Sequence, residues 1–147
     1  MTGVGKLRSP ECLPYYLFRS IKTAKRILMK FLIHIAQGPD NPTRAALAFL
    51  VAKSAREEGH EVAIFLAGDG VHLLTEDVLS VLTGLGTGKL SDHYEALEKG
   101  GVRFYLSGNS CKARGITEEV LVNKPAEFAL PTVLVRLVAE SDRVLVY

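Results

Sequence analysis

The chain reads KFLIHIA at residues 30–36, EVAIFL at residues 61–66, VRFYL at residues 102–106 and RVLVY at residues 143–147. Each stretch is a short apolar run of strand-forming residues, which is typical of strands buried on both faces of a parallel sheet. Helical patterns separate these runs, so right-handed strand–helix–strand crossovers are expected. The sequence therefore predicts an α/β fold. It is a single three-layer domain with a mostly parallel sheet of about five strands and helices on both faces.

The segments between the strands carry the usual signals of helix ends. Asn41 can cap a helix whose first position is Pro42, and Gly59 is a natural stop for it. Further helical stretches are predicted at residues 71–82 and 91–99, after residue 111, and from Pro131. Residues 122–130 are ambiguous between a loop and one more strand. The glycine-rich segment at residues 84–88 is predicted to be a flexible loop, with a lid as one interpretation.

The first 29 residues differ from the rest in charge. They hold six of the 18 Lys and Arg residues but one of the 16 Asp and Glu residues. We therefore divide the chain into a basic N-terminal extension, residues 1–29, and a domain, residues 30–147. Our preferred interpretation is a non-native start, with Met29 as the natural first residue. A helix over residues 15–28 that docks on the domain and a basic organelle address are the alternatives.

Composition excludes several classes of protein. Hydrophobic residues make up 48% of the chain, yet no apolar run approaches the ~18 residues that a membrane span needs. The domain is mildly acidic, so we expect neither a membrane nor a nucleic-acid partner. The two cysteines, Cys12 and Cys111, form no Cys-x-x-Cys pair. We expect no disulfide framework, no metal site and a reducing, cytoplasmic location.

Ligands of parallel sheets bind beyond the carboxyl ends of the strands. Three loops are expected there, at residues 37–42, 67–70 and 107–114. The first contains two prolines, which remove the N–H donors that a flavin phosphate would need. The GLGTGK segment at residues 84–89 departs from a phosphate-binding loop at Thr83 and Leu90 and follows a helix. We therefore expect no flavin, nucleotide or other cofactor.

The histidines are scattered and suggest no catalytic triad. His34 alternates within the first strand and is interpreted as a satisfied core residue. Cys111 is the stronger candidate, because it follows the third strand in a Ser/Gly/Asn loop with Lys112 and Arg114 beside it. Nearby cations and a helix N-terminus favour the thiolate, the nucleophilic form of cysteine. We predict an accessible thiol that is ionised near neutral pH.

Several segments together resemble the DsrE/DsrF-like family over residues 30–147. They read CKARGI at residues 111–116, GHEVAIFL at residues 59–66, GDGV at residues 68–71 and DRVLVY at residues 142–147. The cysteine-containing segment is the most specific of them. The resemblance implies a flavodoxin-like fold without flavin, a homotrimer or homohexamer, and sulfur relay in some members. In those members a cysteine at the position of Cys111 holds a persulfide.

The resulting hypothesis is a sulfur carrier, similar to a sulfurtransferase, that accepts sulfane sulfur on Cys111 and passes it to a partner. Lys112 and Arg114 would stabilise the sulfur anion, and Gly38, Asp69 and Gly70 would form the rim of the pocket. Its partners would be a sulfur donor or acceptor protein, or a small sulfur compound. The alternatives are a redox-sensing or small-molecule-binding oligomeric module without sulfur transfer, and a scaffold in which Cys111 is inert.

Overall fold

Five parallel strands form the central sheet of the computed structural model, which describes residues 27–147. Within that range the strands are β1 (Lys30–Ile35), β2 (Glu61–Leu66), β3 (Thr83–Gly84), β4 (Gly88–Lys89), β5 (Arg103–Ser107), β6 (Ala126–Ala129) and β7 (Arg143–Val146). The sheet has the order β6-β5-β2-β1-β7, and all its neighbouring pairs run parallel. Strands β3 and β4 form a separate antiparallel hairpin. The predicted α/β domain is confirmed, and β6 resolves the ambiguous segment.

Helices connect the strands. They are α1 (Pro42–Glu57), α2 (Glu76–Leu79), α3 (Leu90–Lys99), α4 (Gly108–Ala113) and α5 (Pro131–Glu140). Two 3-10 segments, Gly68–Leu74 and Glu118–Leu121, add short turns. None of the helices in residues 27–147 combines the length and the apolar character that crossing a membrane requires.

Helix α1 begins and ends as its sequence predicts. The side chain of Asn41 accepts a hydrogen bond from the backbone N–H of Arg44 at 3.1 Å, with Pro42 in the first turn. Gly59 follows the helix with a φ of +91°, a conformation that residues with a side chain rarely adopt. The buried face of α1 is mostly alanine, which lets the helix lie close to the sheet. Its buried residues are Ala45, Ala46, Ala48, Phe49 and Ala52.

The two faces of the sheet are covered unequally. On what we call the first face, strand residues such as Ile33 and Ile64 pack in a large core with side chains of α1 and α3. On the second face, Leu32 and Phe65 belong to a smaller cluster whose helical members all come from α5. This division follows from the strand order. The connections from β1 to β2, from β2 to β5 and from β5 to β6 cross the sheet in one direction, and the connection from β6 to β7 through α5 crosses it in the opposite direction.

Two predicted segments have a different structure. The single helix expected at residues 71–82 is a 3-10 segment followed by the one-turn helix α2. The flexible loop expected at residues 84–88 is the β3–β4 hairpin, which packs on α1. The backbone N–H of Leu85 donates to Oγ1 of Thr43 at 3.0 Å. A Cβ atom on Gly84 would lie 2.9 Å from Cα of Thr43, so the glycine is what permits this approach.

Most of the predicted N-terminal extension lies outside the described residues. That applies to Cys12 and to all but the last two residues of the proposed docking helix at residues 15–28. Ile27 and Leu28, where the description begins, are 68% and 62% exposed. The division at residue 29 and the three interpretations of the extension remain predictions.

Candidate functional site at the carboxyl edge

The loops that follow β1, β2 and β5 meet at the carboxyl edge of the sheet. The backbone N–H of Gly70 donates to the carbonyl oxygen of Ala36 at 3.2 Å, which joins the first two loops. A Cβ on Gly38 would lie 2.7 Å from the Cβ of Asp69, and one on Gly70 would collide with the carbonyl oxygen of Ile35. These glycines therefore allow close packing of backbone on backbone. Gly38, Asp69 and Gly70, the predicted rim residues, lie together.

The third loop is helical and begins with a serine cap. Oγ of Ser107 accepts a hydrogen bond from the backbone N–H of Ser110 at 3.3 Å, which starts α4 directly after β5. Oγ of Ser110 in turn accepts the backbone N–H of Gly68 at 2.9 Å. Ser107 and Ser110 therefore tie α4 to β5 and to the loop after β2. Sequence reasoning did not single out either serine, although serine is a strongly preferred N-cap residue and so gave a signal for Ser107.

Cys111 points into the protein and not towards solvent. It is 1% exposed and belongs to the large core of the first face. Burial raises the pKa of the Cys111 thiol above its usual range, and the Arg114 guanidinium opposes this by favouring the thiolate. The expectation of an accessible, ionised thiol is therefore wrong for this conformation. Arg114 lowers the pKa of the thiol, as expected, but desolvation raises that pKa by more.

Arg114 is engaged by an acidic partner. Its Nη2 and Nε atoms lie 2.8 Å and 2.9 Å from Oδ1 of Asp69, and its Nη1 donates to the carbonyl oxygen of Ser110 at 3.2 Å. The Arg114 side chain is 28% exposed and that of Asp69 is 62% exposed. Asp69 was predicted to form part of the pocket rim. In the structure it also pairs with the guanidinium that was predicted to stabilise the sulfur anion. The pairing joins residues 45 positions apart, which no local pattern reveals.

Lys112 lies beside Cys111 in the chain but is exposed. Successive residues of a helix point in different directions, so Lys112 faces outward where Cys111 faces the core. Its predicted role in stabilising a sulfur anion remains a prediction. It would require a movement of α4 or an anion that extends beyond the thiol.

Other chemistry-bearing residues of the described chain do not gather here. Within residues 27–147 no group of three His, Cys, Asp or Glu side chains is placed to hold a metal ion. His34 lies on the second face of the sheet, where its ring meets that of Phe65 edge-on at 5.8 Å. Its Nε2 atom is buried without a hydrogen-bond partner. The interpretation of His34 as a satisfied core residue is therefore wrong.

Comparison with known proteins agrees with this architecture. The chain is 32% identical over 122 residues to the uncharacterized protein MJ0989 of Methanocaldococcus jannaschii, covering 81% of this chain and 100% of that protein. It is 34% identical over 116 residues to the uncharacterized protein MK0008 of Methanopyrus kandleri, covering 77% of this chain and 89% of that protein. The crystal structure of the YchN protein from E. coli superposes with a TM-score of 0.65 at 18% identity, covering 82% of this chain and 100% of that one.

The likeness to YchN concerns the fold alone, since its sequence identity is low. The family evidence is stronger, because the DsrE/DsrF-like family matches residues 29–147, which include every strand of the sheet and all three loops of the carboxyl edge. The resemblance recognised in the sequence is confirmed, and the chain belongs to the DsrE/DsrF-like family.

Proposed function

We propose that the protein is a sulfur carrier, similar to a sulfurtransferase, that accepts sulfane sulfur on Cys111 and passes it to a partner. The observation that carries the proposal is the position of Cys111 on α4. It follows the carboxyl end of a central parallel strand, within electrostatic reach of the Arg114 guanidinium. Ligands of such sheets bind at this edge. Membership of a family in which some members relay sulfur supports the same reaction.

The transfer that we propose is a simple exchange at sulfur. The Cys111 thiolate attacks the outer sulfur of a donor persulfide, R–S–SH. A new S–S bond forms on Cys111, the S–S bond of the donor breaks, and the donor leaves as the thiolate R–S⁻. No external oxidant or reductant is needed, since the sulfane sulfur is only exchanged between two thiols. Arg114 and Lys112 would offset the negative charge of the persulfide.

Discharge of the sulfur requires a second molecule. The predicted domain, residues 30–147, contains Cys111 as its one cysteine, so no resolving disulfide can form within it. The acceptor would be a thiol of a partner protein or a small sulfur compound.

We also propose a homo-oligomer, a trimer or a hexamer, on the family resemblance. Large apolar side chains are exposed on and beside α5 and on β7, which is unusual for a surface that faces only water: Leu130, Val135, Val138, Val144 and Val146. Light scattering would give three or six times the 16.0 kDa of one chain. A mass of one chain at micromolar concentration would contradict this proposal.

A second candidate function has its own supporting observation. Cys111 is 1% exposed and its thiol is desolvated, as expected of an inert core cysteine. The protein would then be a redox-sensing or small-molecule-binding oligomeric module, or a scaffold, without sulfur transfer.

Intact mass spectrometry after incubation with a persulfide donor separates the two functions. The carrier gains the mass of one sulfur atom, and reduction removes it. Cys111→Ser should abolish the gain, whereas Cys12→Ser should leave it unchanged. Absence of sulfur on the native chain, under conditions that load a known sulfurtransferase, would favour the module or the scaffold.

A further inference from the structure

Two contacts fasten α4 to the loop after β2. One is the hydrogen bond from the backbone N–H of Gly68 to Oγ of Ser110, at 2.9 Å. The other is the ion pair between Asp69 and Arg114, at 2.8 Å. They lie on either side of Cys111 in the chain, one residue before it and three residues after it. The segment that carries the thiol is therefore clamped to its neighbour at both ends.

The clamped element is small. Helix α4 has six residues, and Cys111 is its one buried residue. Arg114 follows the last residue of the helix, and its guanidinium donates a hydrogen bond to the carbonyl oxygen of Ser110 at 3.2 Å. A helix of six residues has few backbone hydrogen bonds of its own, so the packing of Cys111 and these two contacts hold it in place. Segments of this kind open locally at a lower free energy than the core.

We propose that the Asp69–Arg114 ion pair is a latch that keeps Cys111 enclosed, and that its opening exposes the thiol and frees the guanidinium for the sulfur anion. The proposal deepens the proposed function, on which it rests for the identity of the reaction. In the closed form Asp69 neutralises Arg114. In the open form the same cation faces a thiolate or a persulfide, so one movement supplies both access and charge.

The exposure of the pair suits a latch. With side chains 28% and 62% exposed, its charges are solvated and their attraction is modest. Such a pair can break and re-form without unfolding the sheet. An anionic sulfur donor that approaches Arg114 competes with Asp69 for the guanidinium, so the donor itself favours opening.

The first test is the alkylation rate of Cys111 by iodoacetamide in the folded protein, with Cys12→Ser throughout so that one thiol reacts. Asp69→Asn keeps the shape of the side chain but removes its charge. We expect it to speed alkylation about fivefold at pH 7, the scale of a lost solvated ion pair. Glu127→Gln is the matched control, because it removes the exposed Arg103–Glu127 pair, at 3.3 Å, from a different part of the sheet. It should leave the rate unchanged.

The latch is overturned if Asp69→Asn alkylates no faster than Glu127→Gln. It is also overturned if the factor by which alkylation speeds up equals the factor by which the globally unfolded fraction increases, measured by urea unfolding of the same variant. Arg114→Gln breaks the same ion pair from the other side and provides an independent measurement of opening should Asp69→Asn fold poorly.

A pH profile of alkylation separates a latch from a merely structural contact. In Asp69→Asn the freed guanidinium favours the thiolate, so the midpoint of the profile should move to lower pH. In Arg114→Gln the thiol also becomes accessible but the cation is lost, so the midpoint should lie at higher pH than in Asp69→Asn. Identical midpoints in the two variants would mean that Arg114 is not transferred from Asp69 to the sulfur.

Sulfur loading distinguishes failure of the latch from failure of the proposed function. Faster alkylation in Asp69→Asn without any sulfur gain would support the latch and contradict the carrier. Sulfur loading of the unmodified chain at a rate that Asp69→Asn does not alter would support the carrier and contradict the latch.

Discussion

Helices α3 and α5 are both amphipathic and ten residues long, yet they are covered very differently. Helix α3 buries Leu90, His93, Tyr94 and Leu97, whereas α5 buries none of its residues. The reason is their surroundings. Helix α3 packs beside α1 on the first face of the sheet, while α5 supplies all the helical side chains of the smaller cluster on the second face. An amphipathic pattern therefore identifies the side of a helix that faces the protein, but neighbouring elements set the depth of burial.

The largest expected effect is a difference between two matched leucines. Leu97→Ala on α3 should lower the free energy of unfolding by about 2–5 kcal/mol, because the side chain is fully buried and its removal leaves a cavity. Leu137→Ala on α5, which is half-buried, should cost about 1 kcal/mol. Urea unfolding of both variants measures the difference. Equal losses would break the comparison and indicate that α5 is covered in solution by another subunit or by residues outside 27–147.

A second prediction concerns how tightly the first face is packed at the β3–β4 hairpin. Gly84→Val should lower the free energy of unfolding by about 1–3 kcal/mol, since even a Cβ would lie 3.0 Å from Cβ of Ala46. Leu85→Ala is the control in the same hairpin. Leu85 is 89% exposed, so its truncation should change stability little. A hairpin that behaved as the mobile loop expected from the sequence would tolerate both changes equally.

The fold could be predicted well because its signals are local. Apolar runs predict the strands, and Asn41, Pro42 and Gly59 predict the ends of α1. The β3–β4 hairpin could not be predicted in the same way. Each of its strands has two residues, and its position depends on Thr43 and Ala46 of α1, about 40 residues away.

The site shows the same limit. Its three loops and the position of Cys111 follow from the strand pattern, and Arg114 lies close by in sequence. The polar residues before Cys111 suggested an exposed thiol, but the direction of its side chain depends on how α4 is turned. That rotation is set by the Ser107 cap and by the bond between Gly68 and Ser110, which joins residues 42 positions apart. Long-range contacts of this kind leave no local pattern.

A third prediction uses His34 to probe the second face. Burial lowers the pKa of His34, so the unfolded chain binds a proton more readily than the folded one. This histidine therefore reduces stability as the pH falls below about 6.5, until the folded form is protonated as well. Relative to the unchanged chain, His34→Phe should gain stability on the acid side, on the order of 1 kcal/mol or less, because His34 is only partly buried.

Urea unfolding of both chains between pH 5 and pH 8 measures this effect, and comparison of the two cancels the contribution of the other histidines. A difference that does not vary with pH would mean that the second face is open enough for water to reach His34. The difference in burial between the two faces of the sheet would then be larger than the structure indicates.

The smallest expected effect comes from removing residues 1–28. We expect a chain that begins at Met29 to unfold within about 1 kcal/mol of the full chain, a small fraction of typical domain stability. The physical reason lies at the entrance to β1. The strand begins at Lys30, the core of the first face includes residues from Phe31 onward, and Ile27 and Leu28 are 68% and 62% exposed.

Combining the truncation with Leu137→Ala makes this prediction specific to the second face. If residues 1–28 do not cover α5, the two changes are independent and their free energies add within about 0.5 kcal/mol. If the extension docks on α5, Leu137→Ala costs more in the full chain than in the shortened one, because only the full chain buries that leucine. A loss beyond about 2 kcal/mol on truncation, together with such coupling, would identify the extension as the missing cover of the second face. If the free energies add and Leu137→Ala still costs more than about 1 kcal/mol, contact with another subunit would be the remaining explanation. The mass measured by light scattering would then decide between one chain and several.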